Sequence, residues 1–150
     1  NLCSPTRAIA AGGITVTNVM DYITIASAGD ATDFGNLTVA RSSAAGLASS
    51  VRGCFGGGYT PTYQDVIDYV TIASTGNATD FGNLLAATNQ PGGTSNNTRG
   101  VVCGGYQPGI SNVIQHITIA STGNAADFGD LIVNRAYTGT VSDSSGGVQG

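Results

Sequence analysis

His116 is the single histidine, and with Cys3, Cys54, Cys103 and nine Asp it completes the inventory of imidazole, thiol and carboxylate groups. A Ser-His-Asp or Cys-His site needs a nucleophile and base held by a third group, and no spacing here supports one. A metal site in a chain of this size is usually announced by pairs such as C-x-x-C, which are missing. The three cysteines do not occupy equivalent positions of the sequence pattern described below, and any single bridge leaves one thiol over; buried free thiols are the expectation. Asp33, Asp80 and Asp127 recur at one fixed interval. As ligands or acids they would be functional, but recurrence at every interval favours a turn role, with Asp accepting hydrogen bonds from nearby backbone N–H groups. Asp21 and Asp68 precede a Tyr, and Gln115 takes their place further on, which suits a packing and hydrogen-bonding slot. His116 stands where Tyr22 and Tyr69 stand, so it is expected to fill an aromatic core slot. Gly56-Gly57-Gly58 is followed by no helix and no Lys, so a phosphate loop is excluded. No catalytic residue, metal or cofactor is expected.

The elements that hold these residues repeat. Tyr22 to Leu37 returns at Tyr69 to Leu84 and at His116 to Leu131, each 47 residues on. Internal self-similarity of this length is the mark of a repeat architecture. Within one unit, Arg52 to Tyr59 reads as a short strand ending in glycines. Val66 to Ala73 is the strongest strand: Val66, Asp68, Val70 and Ile72 lie on one face, and Ile67, Tyr69, Thr71 and Ala73 on the other. Both faces are largely apolar, as in a sheet packed on two sides. Ser74 to Ala78 is a turn, Thr79 to Leu84 an outer strand, and Ser42 to Ser50 a small-residue strand leading to the next Arg. That makes four short strands per unit, with units at roughly 1–40, 41–87 and 88–134 and an extra strand segment at 135–150 expected to complete a neighbouring unit, all in one repeat domain.

Composition agrees with an all-β chain. Of 150 residues 9% are charged and 23 are Gly, with no Lys and no Glu for helix surfaces. A net charge of −4, with five scattered Arg, argues against nucleic acid, and no apolar run is long enough for a membrane span. The sequons at Asn36, Asn77 and Asn96 are expected by chance in an Asn- and Thr-rich chain.

Arg41, glycines 56 to 58, Asp68-Tyr69, Phe81 and Leu84 resemble the Kelch repeat. Here the aromatic–Asp order is reversed, Phe34, Phe81 and Phe128 stand where that family usually has Trp, and Thr88 replaces Arg41 in the next copy. The resemblance implies a Kelch-like β-propeller of three four-stranded blades. Three blades do not close a ring. The chain is therefore expected to be a slice of a longer propeller or to associate head to tail. The wording Thr-Ile-Ala-Ser-Thr-Gly-Asn-Ala-Thr-Asp-Phe-Gly-Asn-Leu resembles repeats of tail-fibre-like virion proteins of marine bacteriophages, which implies a virion or extracellular location.

Positions that differ between copies are the candidate ligand-binding residues: Tyr59, Tyr63, Gln64, Asn89, Gln90, Tyr106, Gln107 and Tyr137. They fall on the loops after the glycine-ended strands and on the connections between units, which open on the same face in a propeller. Tyr and Gln there suit sugars or protein surfaces. The expected role is a non-enzymatic structural or adhesion component, partnered by its own copies, by other virion or fibre subunits, or by a cell-surface glycan. Alternatives are a propeller lectin and a fragment of a Kelch-type oxidase, the latter requiring a Tyr, Cys and His set in one place.

Overall fold

The computed structural model describes residues 2–3 and 6–142. Three four-stranded antiparallel sheets follow one another along the chain. The first runs in the order β1 (Leu2–Cys3), β2 (Arg7–Ala11), β3 (Thr17–Thr24), β4 (Thr32–Arg41). The second contains β5 (Ala45–Ala48) and β6 (Arg52–Gly56), then β9 (Val66–Thr71) and β10 (Thr79–Asn83). A small hairpin of β7 (Tyr59–Thr60) and β8 (Thr62–Tyr63) sits between β6 and β9. The third comprises β11 (Gly92–Ser95), β12 (Arg99–Cys103), β13 (Val113–Thr118) and β14 (Ala126–Asp130). No helix occurs among the described residues.

The middle-sheet strand β9 is packed on both faces, as its doubly apolar pattern requires. In β9, Val70 and the following Ile72 point toward sheet 1, where with Phe55 they join Ile9, Met20, Phe34 and Leu37 in one core. Ile67, on the opposite face, joins Leu47, Cys54, Phe81 and Leu84 against Val102, Ile117, Ile119 and Ala125 of sheet 3. The cores therefore lie between sheets, and β5 packs against both β1 and β11.

Two expectations change. Asp33, Asp80 and Asp127 are exposed strand residues rather than turn residues; they lie opposite Asp21, Asp68 and Gln115 beside bulges in the outer ladders. The turn role falls to the residues just before them. Of the segment 135–150, residues 143–150 lie outside the described residues, and residues 135–142 enter no ladder. They nevertheless follow the repeat. Ser142 Oγ donates to Ser95 O (3.0 Å), and Thr140 Oγ1 donates to Gly93 O, much as Ser95 Oγ donates to Ala48 O (2.7 Å) 47 residues earlier.

Candidate functional site

Two regions are built with enough repetition to be functional: the loop-bearing end of the sheets and the junctions between them.

At the loop end the candidate residues fall into two groups. Tyr59 and Tyr63 face each other across the β7–β8 hairpin with ring centroids 6.0 Å apart. Gln64 folds back onto this hairpin, its Nε2 donating to Thr62 O at 3.2 Å. The second group gathers Asn89, Gln90, Tyr106, Gln107 and Tyr137. Asn89 and Tyr106 exchange backbone hydrogen bonds of 2.8 and 2.7 Å, and Tyr137 N donates to Gln90 O at 3.2 Å. The Tyr106 and Tyr137 rings meet edge to face at 6.0 Å. Gln107 Nε2 reaches Thr88 Oγ1 at 3.3 Å, which ties it to the interior.

Sequence reasoning missed Ser43 as a member of this end. Ser43, Gln90 and Tyr137 stand 47 residues apart and all carry left-handed backbone, at φ of 58°, 53° and 56°. Left-handed non-glycine residues store strain and concentrate at binding sites. All three line one open depression of about 420 Å³ with Gly13, Ile14 and Pro91. The signal was available as the 47-residue spacing, but Ser, Gln and Tyr share no chemistry that would mark it.

The junctions are made twice over. At the first, Arg7 Nη1 donates to Ile72 O and Ala73 O (3.1 and 3.0 Å); at the second, Arg52 Nη1 donates to Ile119 O and Ala120 O (3.2 and 2.9 Å). These guanidinium groups also stack on Tyr22 and Tyr69, 4.6 and 4.5 Å from the ring centroids. Gly76 N and Ala78 N donate to Phe34 O and Asn36 O, and Gly123 N and Ala125 N donate to Phe81 O and Asn83 O, all at 2.7–2.8 Å. Asn77 Oδ1 and Asn124 Oδ1 each accept the N–H of the facing Asn36 or Asn83 at 3.0 Å. The Ser-Thr-Gly-Asn-Ala turn is thus a clasp on the neighbouring sheet.

Behind the clasp, Asp68 is fully buried and meets Arg41 at 2.8 Å, itself fully buried. Thr38 N and Oγ1 donate to the same carboxylate at 3.3 and 2.5 Å. In the next junction the neutral Gln115 takes this place, its Oε1 accepting Leu85 N at 2.7 Å, while Thr88 stands for Arg41. The hydrogen-bonding slot expected for Asp68 and Gln115 is present. Asp21, the first-sheet counterpart, is exposed instead.

His116 takes the aromatic position, 5.6 Å from the Phe128 ring, as Tyr22 and Tyr69 meet Phe34 and Phe81 at 5.9 Å, but it is half-buried beside an exposed Phe128 rather than in the expected core. Cys54 and Cys103 are buried free thiols; the side chain of Cys3 lies outside the described residues. Burial pushes the Cys54 thiol up to about 12, with nearby Arg52 pulling weakly the other way; burial also raises Cys103. The folded chain therefore keeps the Cys54 proton over a pH range where the unfolded chain gives it up. The resulting stability is fully present below the ordinary thiol value of 9.0 and is lost as pH rises toward 12. At pH 10 the loss is about 1.4 kcal/mol. Urea unfolding of wild type and Cys54→Ala at pH 8 and pH 10 is expected to give that difference between their pH dependences. Parallel pH dependences would refute it. Among the described residues no group of three His, Cys, Asp or Glu is placed to hold a metal ion.

Compared with known proteins, the chain matches no protein-family model and no curated protein.

Proposed function

We propose that the protein is a non-enzymatic structural and adhesive component of a virion appendage or extracellular fibre. Its sheets serve as blades of a Kelch-like propeller arrangement, acting through the loop-bearing end and through head-to-tail assembly. The observation that carries this reading is the duplicated junction: two neighbouring pairs of sheets dock by the same arginine, asparagine and glycine contacts. A unit that binds its neighbour by a fixed set of contacts is the element of a repeat array. The placing of β5 between β1 and β11 supports blades about a common axis. The likeness of the repeat wording to phage virion repeats supports the location. An antibody raised against the purified chain is expected to label intact virus particles or surface fibres in the source culture. Labelling found only after cells are opened would overturn the reading.

Sugar binding is the second reading, favoured by the Tyr106–Tyr137 pair beside the three left-handed residues. On a glycan array it predicts a hit that Tyr137→Ala weakens about tenfold, since Tyr137 is largely exposed and free to stack on a ring. The oxidase reading fits poorly. The His116 ring is engaged with Phe128, and Cys54 and Cys103 are buried in sheet interiors.

A further inference from the structure

Each internal junction has a donating and a receiving half, and among the described residues one of each is left uncovered. Phe34 and Phe81 are 2% exposed under the clasp of the next sheet, whereas Phe128 is 51% exposed. On the other side Ile72 and Ile119 are 2% and 0% exposed, whereas Ile25 is 48% exposed. The polar groups follow the same rule. Arg41 and Asp68 are paired and buried, while Arg135, two 47-residue steps after Arg41, and Asp21, one step before Asp68, are both exposed. Arg99 leans over Phe128 at 5.6 Å, where Arg7 and Arg52 reach the carbonyls of the following sheet.

We propose that these open halves bind each other in two copies of this chain, sheet 1 of one copy docking on sheet 3 of the next, with Arg135 of the first paired to Asp21 of the second. The contact rests on the assembly part of the function proposed above and supplies its residues. Charge complementarity selects the occupant. The receiving face offers Arg99 and Arg135, and sheet 1 offers Asp21 together with the Ile25 and Ala26 carbonyls that correspond to Ile72 and Ala73. Asp30 replaces Asn77 in the sheet 1 turn, and its carboxylate accepts a backbone N–H as well as the amide oxygen does. That N–H belongs to Asp130, the counterpart of Asn36 and Asn83.

The segment 138–142 already lies along β11 where the incoming sheet needs its inner strand. Because the first unit is two residues shorter before its third strand, Val141 and Ser142 correspond to Leu2 and Cys3, which pair with Ile9 and Ala8 of β2. The docking therefore exchanges strands: the two-residue β1 yields to the longer segment of the neighbouring copy. Such a contact is heterologous, so it propagates to a ring or a filament.

Sedimentation velocity and light scattering on the wild-type chain are expected to give two or more copies, growing with concentration. Asp21→Arg and Arg135→Asp are each expected to weaken association about 30-fold or more, because each places like charges at the desolvated contact. Both positions are exposed in the single chain, so circular dichroism and Tm should stay unchanged. An equimolar mixture of the two variants should regain association, since alternating copies meet only opposite charges. Phe128→Ser, also at an exposed position, should weaken it as well. A wild-type chain that is monomeric at every concentration, or single variants that associate like wild type, would overturn the proposal. A monomer whose antibody still labels particle or fibre surfaces would remove this contact and leave the location standing.

Discussion

Asp68→Ala is expected to destabilise the chain by about 3–5 kcal/mol, because it strands the fully buried Arg41 guanidinium without its counter-ion. The carboxylate also accepts Thr38 N and Oγ1, so its loss leaves donors of sheet 1 unpaired at the same junction. The third sheet supplies the control. There the slot is filled by Thr88 and Gln115, and Gln107 reaches Thr88 from the loop end. Copying that solution into the second sheet means Arg41→Thr, Asp68→Gln and Thr60→Gln together, position 60 being the counterpart of Gln107. The triple variant is expected within about 2 kcal/mol of wild type, since replacing a whole buried ion pair by well-packed neutral groups is close to neutral. Urea unfolding, read at constant m, measures both. Equal losses for the single and the triple variant would mean that the junction responds to lost volume and not to the unpaired charge.

The same slot marks the boundary of what the sequence displayed. The alternation in Val66–Thr71 and the return of the pattern after 47 residues announce the strands and the repeat, because side-chain period and chain spacing are local properties. The Asp68–Gln115 substitution announced a hydrogen-bonding slot. What it could not announce was the partner, since Arg41 reaches Asp68 only after the intervening strands β5 to β8 have folded. The clasp was hidden for a related reason. Ser-Thr-Gly-Asn-Ala has turn composition and does form a turn, but Asn77 and Asn124 each bond a residue 41 positions earlier in the chain. Their carboxamides serve the neighbouring sheet, which turn propensity does not encode. Phe128 shares the Asp-Phe-Gly context of Phe34 and Phe81 and stands exposed because no clasp lies above it among the described residues. The candidate Tyr and Gln residues were found by their variation between copies. The left-handed backbone that aligns Ser43 with Gln90 and Tyr137 leaves no mark in residue type.

Gly82→Ala should lower stability by about 2–6 kcal/mol, and Gly129→Ala by only about 1–3 kcal/mol. The two glycines share a backbone conformation, at φ of +143° and +137°, with Gly35 beside them at +139°. An L side chain is strained in that region wherever it stands, so the strain is common to both substitutions and cancels in the comparison. What differs is the space in front. A Cβ at Gly82 would come within 2.5 Å of the Gly123 carbonyl oxygen, which belongs to backbone held by the clasp and cannot rotate away. Relief requires the Gly123 N to Phe81 O bond to open and the third sheet to move off the second. At Gly129 nothing stands within 4 Å of the added methyl group in the single chain. The excess loss at Gly82 therefore measures the junction itself, free of the intrinsic preference for glycine. Denaturant midpoints of the two variants provide the test, and matching losses would show that the close approach of the clasp contributes nothing. Under head-to-tail docking the second substitution gains a further effect: the methyl group at position 129 then meets the incoming sheet 1 turn, so Gly129→Ala should weaken association while barely disturbing the single chain beyond its backbone strain.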